Sequence, residues 1–413
     1  MRQYRFLVSM TITLMVLLGL PMSALAKPAQ GGPQTLIIGV DHADPANQQP
    51  DKNRFIEYTD FFSRNVSVHR GDTLDFQTAP GTAHAVALAK SEDVARSTYP
   101  LAVPDGDDPH LAPGTGLPKF EVGPSFFPIS GGTVAFGAPA PVCGVPALQQ
   151  ADCAFTGGSD VESAGVLAGV DPTTGVPGAV DWRIQINAGP GTYDYFCYIH
   201  PGMRGTVTVV GSSSPTTTQQ QINGRSQGQF ASDRDAALAA ESAANVVQFT
   251  GGAPGTRTYQ VHVGLSAANN HVAILEMLPN TPLHLTQGDK VQYLWLDPHE
   301  AHTVGFPTDG ANLPEDLGFD CGASFVDIDD PPCFEPGATQ PEIILDPGTS
   351  PAGTALTNPA AVVDSGVLFG TGYGFQNATQ QWAISTNGAT QAGTYNYQCT
   401  IHDFMHGTII VGP

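Results

Sequence analysis

Apolar and polar residues alternate with a period of two in Leu74 to Phe76, Thr206 to Val210 and Val291 to Trp295, which predicts half-buried β-strands. Gly71-Asp72, Gly288-Asp289 and Pro201-Gly202 punctuate these runs as turns. The pattern occurs twice along the chain. Val68-His-Arg-Gly71-Asp72-Thr-Leu-Asp-Phe matches Leu285-Thr-Gln-Gly288-Asp289-Lys-Val-Gln-Tyr, and Gly191-Thr-Tyr-Asp-Tyr matches Gly393-Thr-Tyr-Asn-Tyr. Ser163-Ala-Gly-Val-Leu-Ala-Gly likewise matches Ser365-Gly-Val-Leu-Phe-Gly. Between the repeats, Ser212 to Gln229 is rich in Ser, Thr and Gln and reads as a flexible linker. Ser232 then opens a short alanine-rich helix over Asp233 to Asn245, with acidic residues in its first turn. With 35 prolines and 47 glycines in 413 residues, the chain suits a loop-rich β protein better than a helical one.

Residues 1–26 change the picture of where the protein works. Arg2 and Arg5 precede an apolar run from Phe6 to Leu20, and Ala24-Leu25-Ala26 offers a small-residue cleavage site. This is the layout of a secretory leader. The mature chain is expected to be periplasmic or extracellular, with no stable membrane insertion. The formal charge of −22 repels nucleic acid and anionic membranes and would attract a basic partner.

Two phrases near the ends of the repeats carry the chemistry. Tyr195-Phe-Cys197-Tyr-Ile-His200-Pro-Gly-Met203 and Tyr397-Gln-Cys399-Thr-Ile-His402-Asp-Phe-Met405 both place a thiol, an imidazole and a thioether at C-x2-H-x2-M. Those are the soft donors a copper ion prefers. An earlier strand of each repeat supplies a second imidazole, His84 in Thr-Ala-His-Ala-Val and His302 in Glu-Ala-His-Thr-Val. In Asp297-Pro-His299-Glu-Ala-His302 two histidines compete for that position. Distance from the Gly-Asp turn and the following Thr-Val-Gly-Phe run favour His302, leaving His299 as the alternative. The other four cysteines form local pairs, Cys143 with Cys153 and Cys321 with Cys333, and an export route favours both as disulfides.

On these residues the chain resembles the cupredoxins, the type 1 blue copper proteins, and within them the amicyanin and plastocyanin-like domains. The resemblance implies an all-β fold of two tandem Greek-key β-sandwiches, over 35–211 and 251–413, on either side of the linker with its short helix at 212–250; the long disulfide-containing insertions in both are departures from the small members of the family. It implies one type 1 copper at His84, Cys197, His200 and Met203, and another at His302, Cys399, His402 and Met405. It also implies outer-sphere electron transfer through an exposed imidazole edge, His200 or His402, to a redox partner protein, with a basic one such as a cytochrome as the candidate.

An enzyme of the multicopper oxidase or nitrite reductase type would need further histidines. Phe196 and Gln398 stand beside the two cysteines, however, and the chain contains no His-x-His. A copper storage or delivery protein would favour methionine-rich or histidine-rich tracts, and the seven methionines are not clustered. The charges of Arg204 in the first loop and Asp403 in the second lead to an expectation of a higher potential at the first centre.

Overall fold

The computed structural model describes residues 32–48, 54–98 apart from 81 and 83, 143–144, 151–158, 161–167, 181–308, 350–369 and 381–412 apart from 403. It also describes short strands at 102–104, 120–122, 127–129, 133–135, 317–320, 325–327 and 342–345. The predicted leader lies outside these residues, as do Cys321, Cys333 and Asp403. Pro33–Pro413 forms one compact unit.

The alternating stretches are strands in all three cases. Thr73–Thr78, Arg204–Val210 and Lys290–Leu296 contain them, and the last two bury every second side chain. In the first half, one sheet orders Cys153–Phe155, Asp181–Ile186, Thr73–Thr78, Thr35–Val40 and Phe61–Phe62. The other orders Glu162–Leu167, His84–Ala89, Gly191–Cys197, Arg204–Val210 and Asn65–His69. Leu36, Ile38, Phe76, Val86, Leu88, Trp182 and Val207 belong to one buried cluster that draws on both sheets.

The second half repeats the plan. Thr258–Ser266 pairs parallel with Lys290–Leu296, as Thr35–Val40 does with Thr73–Thr78. Gly393–Gln398 pairs antiparallel with His406–Val411, as Gly191–Cys197 does with Arg204–Val210. The Gly-Asp turns also correspond in detail. Asp72 accepts from the backbone N–H of Gln34 and His69, and Asp289 accepts from those of Arg257 and Thr286. Each carboxylate thereby ties a turn to the start of the neighbouring parallel strand.

Three features join the halves. The strand Arg54–Glu57, from the first half of the sequence, extends the second half's sheet by pairing with Ala273–Leu278, Ile56 opposite Ile274. Its other edge is satisfied by the Asn47 side chain, which bonds both the N–H and the carbonyl of Ile56. Secondly, Glu342–Leu345 of the second insertion pairs with Phe120–Val122 of the first, so the long insertions meet each other across the halves.

The third feature corrects the linker expected at 212–229. A helix runs from Gln219 to Ala244, much longer than the expected 233–245. Thr218 and Gln221 form a reciprocal capping box at its start, which satisfies amides that a Gln-rich coil would leave to water. Its partners come from both sides. Gln219 bonds both the N–H and the carbonyl of Ile37, Arg64 donates to Asp233, and Asn269 donates to the same Asp233 carboxylate. Arg54 pairs with Glu241 near the helix end.

Cys143 and Cys153 are disulfide-bonded, with Cα atoms 5.2 Å apart. Among the described residues no helix is long and apolar enough to cross a membrane.

Candidate metal centres

His84 begins one strand and Cys197 ends the strand that pairs with it, Cys197 opposite Val86. The loop after Cys197 turns back at once. Cys197 N–H donates to the Met203 carbonyl, and Met203 N–H donates to the His200 carbonyl. This fold-back brings His200 over the cysteine and returns Met203 to the core cluster that contains Cys197. Cys399, His402 and Met405 make the same two backbone bonds. Leu167 pairs with His84, and Leu368 with His302, so the matching Ser163 and Ser365 segments flank corresponding histidines.

The result is two convergent donor sets. In the first, His84 Nδ1 and His200 Nδ1 are 2.9 Å apart, and Cys197 Sγ is 3.6 Å from His200 Nδ1. In the second, the corresponding distances are 3.2 Å and 3.7 Å. His84, His302, both cysteines and both methionines are buried. Of the two competing histidines, His302 joins the second set. His299 is fully buried elsewhere, its Nδ1 2.7 Å from the Pro201 carbonyl oxygen of the first loop, and is therefore neither a surface residue nor part of the set. His406 starts the last strand, opposite Gln398.

What the sequence did not reveal is a ring of carboxylates behind the imidazoles. His84 Nε2 lies 3.3 Å from Asp41 and 3.6 Å from Glu57, and His200 Nε2 lies 3.7 Å from Glu57 and 2.9 Å from Glu300. His302 Nε2 is 3.7 Å from Asp297, and His402 Nε2 is 3.9 Å from Glu300. A carboxylate within reach of Nε2, as Asp41 is for His84 and Glu300 for His200, favours the proton there and leaves Nδ1 as the lone-pair nitrogen. Two such Nδ1 atoms facing each other at about 3 Å repel unless a proton or a cation lies between them. The donor types and their convergence fit a copper ion.

The electrostatics agree. Burial alone would raise the Cys197 thiol, but His200 and His84 outweigh it and hold the thiol well below its ordinary range. His302 and His402 do the same for Cys399. Burial alone would depress His84 and His302. The Asp41 and Asp297 carboxylates and the cysteine sulfurs overcome it and raise both to about 9. Glu57 is pushed up to about 8 by burial, partly offset by His200. Glu300 is brought down to about 2, the neighbouring imidazoles outweighing its burial.

The carboxylates come from different places in the two sets. Asp41 follows the strand Thr35–Val40 at φ 63°, and Gly264 stands at the matching place in the second half at φ 69°. A Cβ at Gly264 would lie 2.1 Å from His302 Nε2. The second half therefore leaves that place bare and takes its carboxylate from Asp297. A left-handed Asp is tolerated because its short side chain can bond locally: Asp41 accepts from the neighbouring His42 N–H, and also from the Tyr58 N–H.

The expectation of an exposed imidazole edge holds differently at the two sets. His200 is buried, at 4 % exposure, whereas the His402 side chain is 16 % exposed. Phe404, beside His402, packs on Phe55 of the strand Arg54–Glu57.

No protein-family profile matches the chain, and no curated protein matches it. Among solved structures it is similar to a point mutant of amicyanin in the Cu(I) state, at 17 % identity over 37 % of this chain and 80 % of that one, with a TM-score of 0.18. A reduced amicyanin mutant shows 16 % identity over 40 % of this chain and 98 % of that one, TM-score 0.19. Auracyanin B shows 16 % identity over 44 % and 91 %, TM-score 0.20. These likenesses are low, and the functional reading rests on the geometry of the two sets.

Proposed function

We propose that the chain is an exported electron-transfer protein holding two mononuclear type 1 copper ions. His84, Cys197, His200 and Met203 would hold the first, and His302, Cys399, His402 and Met405 the second. Bound there, copper supplies a one-electron couple between Cu(I) and Cu(II). The protein supplies two imidazoles and a thiolate fixed by strands and backbone bonds, so neither oxidation state needs the ligands to rearrange. The observation that carries this reading is the duplicated set of facing Nδ1 atoms beside a buried thiol with a depressed pKa.

Electrons would enter or leave at the second set, where His402 and Phe404 are partly exposed. A basic redox protein suits the acidic chain. Cys197→Ser and Cys399→Ser variants test the reading. Each should keep one copper and one thiolate-to-copper absorption band. Loss of both centres from either single variant, or a colourless second copper, would contradict two independent type 1 sites.

A further inference from the structure

The two donor sets face each other across one side chain. Glu300 Oε1 lies 2.9 Å from His200 Nε2, and Glu300 Oε2 lies 3.9 Å from His402 Nε2. Both imidazoles turn Nδ1 towards their own cysteine and Nε2 towards this shared carboxylate. The Glu300 side chain is only 12 % exposed. Its backbone position is fixed as well, since Glu300 lies between His299, anchored on Pro201 O, and His302 of the second set. The first loop closes against the same segment. The space beside Gly202 is bounded by the His299 ring and the Asn270 amide, each 3.7 Å from where a Cβ would sit. Among the described residues, no other carboxylate pairs with an imidazole from each set.

On the reading that both sets hold copper, we propose that Glu300 couples the two centres into one electron-exchanging pair, its carboxylate being the bridge between the His200 and His402 imidazoles. The exchange is balanced within the chain. With copper held at both sets, one electron would pass from Cu(I) at one centre, oxidising it, to Cu(II) at the other, reducing it. No bond forms or breaks and both Nε2 protons stay in place. The bridge accounts for the burial of His200: the first set exchanges electrons with the second, and the partly exposed His402 edge serves the outside. Low dielectric around the carboxylate strengthens its attraction for both imidazoles.

The test uses the full chain loaded with copper. Microwave power saturation and line shape in electron paramagnetic resonance report magnetic interaction between two Cu(II) ions. The doubly oxidised wild type should differ from the sum of the Cys197→Ser and Cys399→Ser spectra. In Glu300→Ala, both absorption bands and the through-space part of the magnetic interaction should persist, while the through-bond part is lost and internal electron exchange slows by an order of magnitude or more. Glu300→Gln, which keeps the length but offers one acceptor oxygen to two Nε2–H donors, should exchange electrons at a rate between those of wild type and Glu300→Ala. In copper-free protein, the Nε2–H resonances of His200 and His402 should both move in Glu300→Ala. A wild-type spectrum equal to the sum of the single-site spectra would overturn the bridge. So would wild-type electron exchange in Glu300→Ala, or a loss of exchange in Glu300→Gln as complete as in Glu300→Ala. A chain that binds fewer than two type 1 coppers would instead overturn the proposed function itself.

Discussion

Replacing Ile56 with alanine removes a side chain that belongs by sequence to the first half and by packing to the second. Ile56 is 1 % exposed, lies opposite Ile274 in the register, and packs with Tyr58, Val272 and Ala237 of the helix Gln219–Ala244. Truncating a buried Ile to Ala costs about 2–5 kcal/mol, depending on how far the cavity closes. Here strand, helix and sheet all border the space, so little collapse is open to it and a loss of about 3 kcal/mol is expected. For a melting unit of about 150–250 residues this corresponds to roughly 6–12 °C. The chain has three tryptophans, and Trp295 and Trp382 sit in the second half's core cluster. Fluorescence of copper-free protein in a Trp182→Phe background therefore follows that half alone. Ile56→Ala should lower this transition by the stated amount. A shift below about 1 kcal/mol, too small for a buried Ile deletion, would refute the claim that the strand Arg54–Glu57 is built into the second half's sheet.

Three further outcomes follow from the sites. Gly264→Ala puts a Cβ against His302 Nε2 and forces a side chain into a left-handed conformation; copper content should fall to one per chain with the first band intact, and full loading would refute it. Because His84 and His302 are raised to about 9 while both cysteine thiols are held well below their ordinary range, copper uptake at pH 7 is expected to displace imidazolium protons. A pH-stat titration should record that release, and apparent affinity should rise with pH until about 9; uptake at pH 7 without protons would contradict it. Lastly, the second centre should have the higher potential. Among the described residues, one backbone amide reaches Cys197 Sγ and two reach Cys399 Sγ, and N–H donors at the sulfur favour Cu(I). The Glu300 carboxylate also lies closer to His200 of the first set, at 2.9 Å, than to His402 of the second, at 3.9 Å. Potentiometry on the two single-cysteine variants decides the order.

That last expectation reverses the one drawn from the sequence, and the reason is physical. Arg204 is largely exposed and lies 4.0 Å from Glu92, so its charge is screened and partly offset, while Asp403 lies outside the described residues. The strands and the two loops were legible because alternation and the C-x2-H-x2-M spacing are local properties. Ser163 and Ser365 could also be matched by eye. The helix over 219–229 was not legible, since glutamines and Gly224 and Gly228 give it no apolar stripe. It is held instead by a capping box and by partners distant in the sequence. The exchange of Arg54–Glu57 into the other half's sheet has no local signature either. Asp41, Glu57 and Glu300 meet the imidazoles only through packing between segments far apart in the chain. Only Glu300 stood close to a recognised ligand, two residues before His302, and nothing in that spacing pointed across to His200.

The most direct test of the account is a copper count on purified protein, combined with visible absorption and electron paramagnetic resonance of its oxidised form. Two coppers per chain are predicted, both with intense thiolate-to-Cu(II) absorption and the narrow hyperfine splitting of a thiolate-bound site. One copper per chain, or a second copper lacking the thiolate band, would contradict it.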